Sequence, residues 1–413
     1  MNPFCEKPRE VDSFLVNWST LASKPYNKNT VDPYTKLRII LMNGTEYEAT
    51  WFSHQFSRHC PDNELRRELA LMRRVEQQQQ KRIASLKPLA ETPLETTIGY
   101  EMLAVDLTSA LAKSEKSPLV KKALDFALLE DFDHLYRYAD LLEGERKIKA
   151  EKLVGKYVEI MPGRPTISEH RHPFDDIRPF VNSDAELLTK LNIGIIIAAE
   201  QQTMNYYMNI GAFHDTDAGR RLYAEIAMIE EAHVSHYGSL KDTKTTWLEC
   251  LLMHEYTECY LYYSCFMHEK DERIKQLWEE CFEAELSHLH KAAQLLQKYE
   301  HKSWEQVIPG GAFPKLLELV PSKEYVRKVL KSAGLTSLRD DYIDISKVAD
   351  DADFFKYQSA INSSIPDVPS HKTIKSYITQ NKQDYRFQQA PHPIDALNDR
   401  THDNVYVGRC KSE

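Results

Sequence analysis

Several features that mark common protein classes are missing from this chain of 413 residues. It has no run of about 18 apolar residues that could span a membrane, and no apolar signal core follows Met1. Its seven cysteines form no Cys-x-x-Cys pair, which argues against a zinc site, a rubredoxin site or a disulfide framework. The net charge of -9 disfavours nucleic acid as a partner. We therefore expect a cytoplasmic protein with neither a membrane nor a nucleic-acid partner.

The middle of the chain repeats one pattern with a shift of 55 positions. In each copy, a Glu inside an apolar segment is followed 30 positions later by Glu-x-x-His. The first copy is Glu200, Glu230 and His233, and the second copy is Glu255, Glu285 and His288. Because residues i and i+3 lie on one face of a helix, each Glu-x-x-His can direct an oxygen and an imidazole nitrogen at one point. A buried carboxylate needs a partner or a metal ion, so the repeat predicts a duplicated helical hairpin that carries metal ligands.

A third helical pair, earlier in the chain, follows the same spacing with a looser spelling. Glu101 precedes Asp131 by 30 positions, and Asp131 begins an Asp-x-x-His motif that ends at His134. Glu130 lies four positions before His134, so it shares that helical face as well. The spacing leaves open whether Glu130 or Asp131 would bind a metal ion.

These motifs resemble those of the ferritin-like di-iron carboxylate proteins, the superfamily of ferritin, rubrerythrin, ribonucleotide reductase small subunits and di-iron oxygenases. In that superfamily, one Glu from each of two helices and a Glu-x-x-His from each of two others project into the core of a bundle. The resemblance covers roughly residues 91–300. It implies two iron ions, with manganese as an alternative metal, held by the Glu and His side chains.

Three helical pairs thus compete for a site that needs only two. The motif spelling favours the later two pairs, which would use Glu200, Glu230, His233, Glu255, Glu285 and His288. Chain geometry favours the earlier two pairs, because a loop of about 20 Å between the later pairs is too short for a parallel crossover of roughly 27 Å. That choice would use Glu101, Glu130 or Asp131, His134, Glu200, Glu230 and His233. Three residues, Glu200, Glu230 and His233, belong to both sets.

Two tyrosines near the candidate ligands, Tyr207 and Tyr262, are related by the same shift of 55 positions. Aromatic residues at helical spacing are usually part of a core. The resemblance implies a further role, since some tyrosines of the superfamily relay electrons or carry a radical. Tyr207 and Tyr262 are therefore the candidate catalytic residues.

The expected fold is mainly α, with a ferritin-like bundle of about six long helices over residues 91–300. A small mixed region over residues 1–90 precedes the bundle, and an irregular C-terminal extension over residues 301–413 follows it. In the first region, Asn43-Gly44 lies between two β-prone runs and predicts a β-hairpin with a type I′ turn. An Arg- and Gln-rich helix from Pro61 to about Leu86 is expected to present a solvated face.

Three functions are compatible with these patterns. The first is an oxygen-activating di-iron oxidoreductase that acts on a small organic substrate, which the segments outside the bundle favour, because minimal peroxidases and storage proteins manage with the bundle alone. The second is a rubrerythrin-like peroxidase or ferroxidase, and the third is a metal-free helical scaffold or partner-binding protein. The expected partners are dioxygen or peroxide, a small-molecule substrate and an electron-donor protein, and a homodimer is left open. A substrate cavity beside the ligands would favour the oxygenase.

Overall fold

A computed structural model shows a mainly helical protein. It describes residues 1–154, 157–158, 160, 169–181, 184–332, 337–338, 341–342, 349, 351–362 and 367–382. The helices in this part of the chain are α1 Pro33–His59, α2 Asn63–Ala84, α3 Pro93–Ser114, α4 Pro118–Arg146, α5 Ala150–Val154, α6 Leu187–Phe213, α7 Asp217–Ser239, α8 Trp247–His268, α9 Glu272–Glu300, α10 Lys323–Ser332, α11 Asp353–Asn362 and α12 Pro369–Asn381. Two short strands, β1 Ser337–Leu338 and β2 Asp341–Tyr342, pair in antiparallel register. None of the described helices is both long enough and apolar enough to cross a membrane.

The predicted β-hairpin around Asn43-Gly44 is wrong, because this segment lies inside α1. The helix begins at Pro33, and the side chain of Asp32 caps it by accepting hydrogen bonds from the amides of Tyr34 and Thr35. Gly44 serves packing rather than a turn: a Cβ atom there would lie 2.5 Å from Nε2 of Gln202. Tertiary contact thus overrides the local preference of Asn-Gly for a turn.

The prediction of about six long helices is also wrong, since the described residues contain more. Six of the long helices, α3, α4, α6, α7, α8 and α9, fall in the predicted bundle region, and α1 and α2 add two more. The second of these, α2, has a solvated face as expected, but its other face is buried and includes Glu76 and Gln79. The prediction from the sequence therefore contained too few helices in residues 1–90.

Contacts divide the chain into two units, each made of discontinuous segments. The first unit comprises residues 1–91, 181–202 and 241–319, and the second comprises residues 92–180, 203–240 and 320 onward. In the first unit, α1 packs on α2 and α8, and α9 packs on α8 and α2. In the second unit, α4 packs on α3 and α7, and α12 packs on α4 and α7. The two units combine segments that the sequence assigned to three successive regions.

A buried carboxylate at the end of α8 ties the helices of the first unit together. Glu269 accepts hydrogen bonds from Nε of Arg38 at 2.9 Å and from Nε1 of Trp278 at 3.1 Å. Its side chain is fully buried, and that of Arg38 is 6% exposed. Because α1 carries Arg38 and α9 carries Trp278, this one carboxylate joins three helices.

We predict that Arg38→Met lowers the free energy of unfolding by about 3 kcal/mol, since it leaves the Glu269 carboxylate buried without its cation. Urea denaturation measures the loss. Arg67→Met, which changes an exposed residue of α2, is the matched control and should cost less than about 0.5 kcal/mol. Equal losses in the two variants would show that the Arg38 pair does not stabilise the unit.

Candidate metal centres

Six titratable side chains meet in the core of the first unit, and we call them the first-unit cluster. They are Glu46 of α1, Glu76 of α2, Glu255 and Glu258 of α8, and Glu285 and His288 of α9. Ligand atoms of Glu76, Glu255 and His288 lie within 4.8 Å of one another, and so do those of Glu255, Glu258 and Glu285. Glu255 belongs to both groups. The cluster therefore offers two adjacent metal positions that share one carboxylate.

Helical spacing explains how so few elements supply so many ligands. Glu255 and Glu258 are three positions apart on α8, and Glu285 and His288 are three positions apart on α9, so each pair shares one helical face. Gln79 of α2 supports the cluster from a third helix. Its Nε2 donates to Glu46 at 2.9 Å and to Glu285 at 2.6 Å.

Protein cations in the described part of the chain balance only part of the charge of the first-unit cluster. Among the described residues, no Arg or Lys forms an ion pair with its five carboxylates. Nδ1 of His288 is their nearest basic atom, 3.1 Å from Glu285 and 3.6 Å from Glu255. No residue that the structure describes donates a hydrogen bond to either carboxylate oxygen of Glu255 or Glu258. Isolated buried carboxylates cost several kcal/mol each, so this donor set fits divalent cations.

Burial also shifts the proton affinity of these carboxyls. It raises the pKa of Glu46, Glu255 and Glu258 well above the ordinary value of 4.5, and neighbouring carboxylates add to the shift. Burial raises the pKa of Glu76 to about 7. For Glu285, burial acts in the same direction, but the charge of His288 outweighs it and lowers the pKa. Without cations, the cluster therefore retains protons that a metal ion would displace.

A second group of titratable side chains lies in the core of the second unit, and we call it the second-unit cluster. It consists of Glu101 of α3, Glu130, Asp131 and His134 of α4, and Glu230 and His233 of α7. Ligand atoms of Glu101, His134 and Glu230 lie within 4.8 Å of one another, and the same holds for Asp131, Glu230 and His233. Glu230 is shared between the two groups, as Glu255 is in the first-unit cluster.

Direct contacts between acids and bases hold the second-unit cluster. Nδ1 of His134 lies 2.9 Å from Oε1 of Glu230, and Nε2 of His233 lies 2.7 Å from Oε2 of Glu130. Burial opposes a charged His134, but hydrogen bonds with Glu169 and Glu230 raise its pKa well above 6.5. Burial would raise the pKa of Glu230, yet its hydrogen bond with His134 outweighs burial and lowers the pKa.

Two arginines take part in the second-unit cluster, and this distinguishes it from the first. Nη1 of Arg171 donates to Oε1 of Glu130 at 2.6 Å. The two Nη atoms of Arg137 donate to the carboxylate of Glu169 at 2.7 and 2.6 Å, and Glu169 lies 3.6 Å from Nε2 of His134. Protein cations therefore balance part of the negative charge in this cluster.

The chain was compared with family models, with curated proteins and with solved structures. None of the three comparisons finds a match. What the structure itself shows is a helical protein whose buried acidic and His side chains lie close enough together to hold a metal ion. The ligand geometry is compatible with a di-iron helical fold.

The structure distributes the sequence-predicted ligands over both clusters. Glu101, Glu130, His134, Glu230 and His233 lie in the second-unit cluster, and Glu255, Glu285 and His288 lie in the first. Glu200 is buried on the part of α6 that belongs to the first unit. The hydroxyl of Tyr207 donates to Glu101, and that of Tyr262 donates to Glu46, so each candidate tyrosine contacts a ligand of one cluster.

Sequence reasoning missed the contribution of α1 and α2, although a signal was present. Subtracting 55 from Glu101, Asp131 and His134 gives Glu46, Glu76 and Gln79, a fourth copy of the pattern with Gln in place of His. This copy is hard to recognise from the sequence, because Asn43-Gly44 predicts a β-hairpin in the same region and Gln79 stands in place of the expected His. Glu258, Glu169 and Arg171 carry no such signal, because they lie outside the repeated positions.

A cavity of about 380 Å³ lies beside the first-unit cluster, entirely within the first unit. Its apolar wall includes Phe52, Ile193 and Leu261, and Glu258 of the cluster is one of its lining residues. His254 also lines the cavity, with Nδ1 3.2 Å from Glu48 and Nε2 3.5 Å from Glu258. A molecule in this cavity would therefore contact a ligand of the cluster.

We predict that the metal-free protein loses stability more steeply with rising pH than its Glu258→Gln variant does. The unfolded chain releases this proton near pH 4.5, whereas the folded protein keeps it to a higher pH. The folded state thus binds more protons above pH 4.5, and its free energy of unfolding falls as the pH rises. Gln cannot titrate, so the variant lacks this contribution.

Urea denaturation of chelator-treated protein at several values between about pH 5 and 7 measures the two slopes. Glu279→Gln, an exposed change on α9, should keep the wild-type slope. Identical slopes for wild type and Glu258→Gln would mean that Glu258 is ionised in the metal-free protein.

Proposed function

We propose that this chain is an oxygen-activating oxidoreductase that binds two iron ions, or iron and manganese, in the first-unit cluster and oxidises a small organic substrate. The observation that carries the proposal is the cavity, which meets a buried and charge-uncompensated carboxylate cluster at Glu258. Pockets of roughly 300–1,000 Å³ with apolar walls and few polar groups are typical of small-molecule sites.

The donor set supports this choice of metals. The four carboxylates and one imidazole of the two ligand groups are hard or borderline ligands, which suit ferrous and manganous ions better than soft metals. Glu255 belongs to both ligand groups, with Glu76 and His288 in one group and Glu258 and Glu285 in the other, so these five residues would hold the ions. When bound, such ions would supply the one-electron chemistry that allows dioxygen to react with an organic molecule.

The overall reaction would convert a substrate C–H bond, dioxygen, two electrons and two protons into a C–OH group and one water molecule. The two electrons come from the electron-donor protein. The apolar wall of the cavity holds the substrate and excludes bulk water, which limits unproductive reactions. His254 stands between Glu48 and Glu258, at 3.2 and 3.5 Å, so its imidazole is placed to carry protons toward the cluster.

A peroxidase or ferroxidase activity is the second candidate, and one feature of the second-unit cluster favours it. His134 and His233 lie in different ligand groups that share Glu230, so each of two ions would receive one imidazole. The ion pair between Arg171 and Glu130 favours the third candidate function, a metal-free helical scaffold. In that case the second-unit cluster holds no metal and stabilises the unit. The number of metal ions bound per chain shows whether the second-unit cluster binds metal or only stabilises the unit.

We predict that protein from iron-rich medium holds about two metal ions per chain and that Glu255→Ala loses them, because Glu255 is the shared ligand. Elemental analysis measures the content. Glu101→Ala, the residue of the second-unit cluster on α3, and Glu279→Ala, an exposed change, should both retain the metal.

Two results would contradict this assignment. Loss of the metal in Glu230→Ala or Glu101→Ala, with retention in Glu255→Ala, would move the centre to the second unit. Glu200→Ala tests that ligand in the same series. Absence of bound metal from the wild type would exclude both oxidative functions and leave the scaffold.

The paired tyrosines allow a further test of which cluster reacts. We predict that Tyr262→Phe slows oxidation of the iron-loaded ferrous protein by dioxygen about ten-fold without loss of metal, because Glu46 loses a donated hydrogen bond. Stopped-flow absorbance follows the oxidation. Tyr207→Phe, which removes the matching hydrogen bond to Glu101, should leave the rate unchanged. The reverse result would place the reaction in the second unit.

A further inference from the structure

The cavity of the first unit has different chemistry at its two ends. Lys241 and Lys244 are exposed, whereas Glu258 is fully buried, so the lysines mark the open end and Glu258 marks the inner end. Apolar side chains, including Phe52 and Leu261, form the wall. A ligand that fills this space would therefore have an apolar body between a polar end and the cluster.

Charge at the open end favours an anion. Among the described residues, no carboxylate forms an ion pair with Lys241 or Lys244, and the ammonium group of Lys241 lies 5.9 Å from the centre of the Phe52 ring on the cavity wall.

The acidic residues near the open end of the cavity contact other groups of the protein. Glu249 accepts from Nζ of Lys302 at 2.8 Å, and Glu48 lies 3.2 Å from His254. Asp242 accepts the backbone amide of Lys244 at 2.9 Å. Two ammonium groups thus remain available to a ligand at the open end.

Gly194 of α6 is a cavity-lining residue that has no side chain. It lies inside a helix, where Gly costs about 1 kcal/mol relative to Ala, and it lines the cavity. A Cβ atom added there would have only Oγ1 of Thr257 within 4 Å, at 3.9 Å. A larger side chain at this position would extend into the cavity.

We propose that the cavity binds a small organic acid with an apolar body, its anionic head held by Lys241 and Lys244 and its apolar end directed toward Glu258. The volume of 380 Å³ gives room for about a dozen water-sized groups. The inference rests on the proposed function in one respect. Under that function, oxidation occurs at the end of the ligand that is remote from its acidic group.

Binding to the metal-loaded protein, measured by isothermal titration calorimetry, tests the proposal. The probes are octanoate and 4-phenylbutanoate, each compared with the alcohol and the amine of the same carbon skeleton. At least one acid should bind about ten-fold more tightly than its alcohol, because charge-assisted contacts are stronger than neutral ones. The amine should bind more weakly than the alcohol.

Variants locate the head and the body of the ligand. Lys241→Ala combined with Lys244→Ala should remove the preference for the acid and leave the affinity for the alcohol unchanged. Lys81→Ala, an exposed change on α2, is the control. Gly194→Leu should abolish binding of both molecules, and Gly144→Leu, at a helical glycine with open space around it, should not. Metal content and the unfolding midpoint verify that each variant folds.

Four results with the probes and with Gly194→Leu would overturn the proposal, and a fifth concerns the lysines. They are equal affinity for acid and alcohol, preference for the amine, no binding of any probe to the wild type, and unchanged binding in Gly194→Leu. Retention of the acid preference in the double lysine variant would place the carboxylate head at the metal ions instead, which also contradicts it.

The proposed function can fail separately from this inference. Selective binding of the acid by protein whose iron does not react with dioxygen would reject the oxidoreductase and keep the ligand class. Iron that reacts with dioxygen in protein that binds all probes equally would reject the ligand class alone.

Discussion

Five carboxylates buried around one imidazole impose the main physical constraint on the first unit. Removing such charges from water costs more than packing alone returns, so the cluster needs cations or protons. The long helices of the unit can supply these ligands because positions i and i+3 on α8 and α9 point to the same place. The hydrogen bonds from Gln79 to Glu46 and Glu285 join α2 to this arrangement.

The buried carboxylates of the two clusters are compensated by different groups. Both follow the same register of helical positions, and in both one Glu is shared between two ligand groups. In the second unit, Arg171 and Arg137 bring positive charge into the core and pair with Glu130 and Glu169. In the described part of the first unit, no arginine or lysine pairs with the cluster. A similar arrangement of acidic and imidazole side chains is therefore compensated by different charges in the two units.

Glu258 belongs both to the first-unit cluster and to the wall of the cavity. It lies one helical turn after Glu255, so it reaches the cluster and also lines the cavity. Gly194 preserves that cavity by leaving its own position on α6 without a side chain. Helix packing therefore determines both the arrangement of the clustered side chains and the shape of the cavity beside them.

Local features of the sequence were sufficient to predict a mainly helical chain and the ligand motifs on α4, α7, α8 and α9, because helical spacing is a short-range property. They were not sufficient at Asn43-Gly44, where a contact with the distant Gln202 stabilises a helix in place of the favoured turn. They also could not decide which hairpins share a core, because all copies of the pattern have the same register. Long-range packing decided it, and this placed α1 and α2 with α8 and α9. The sequence by itself therefore determined which acidic and His side chains share a helical face, because that spacing is local, whereas the partners of each side chain and the charge around it were decided by long-range packing in the tertiary structure.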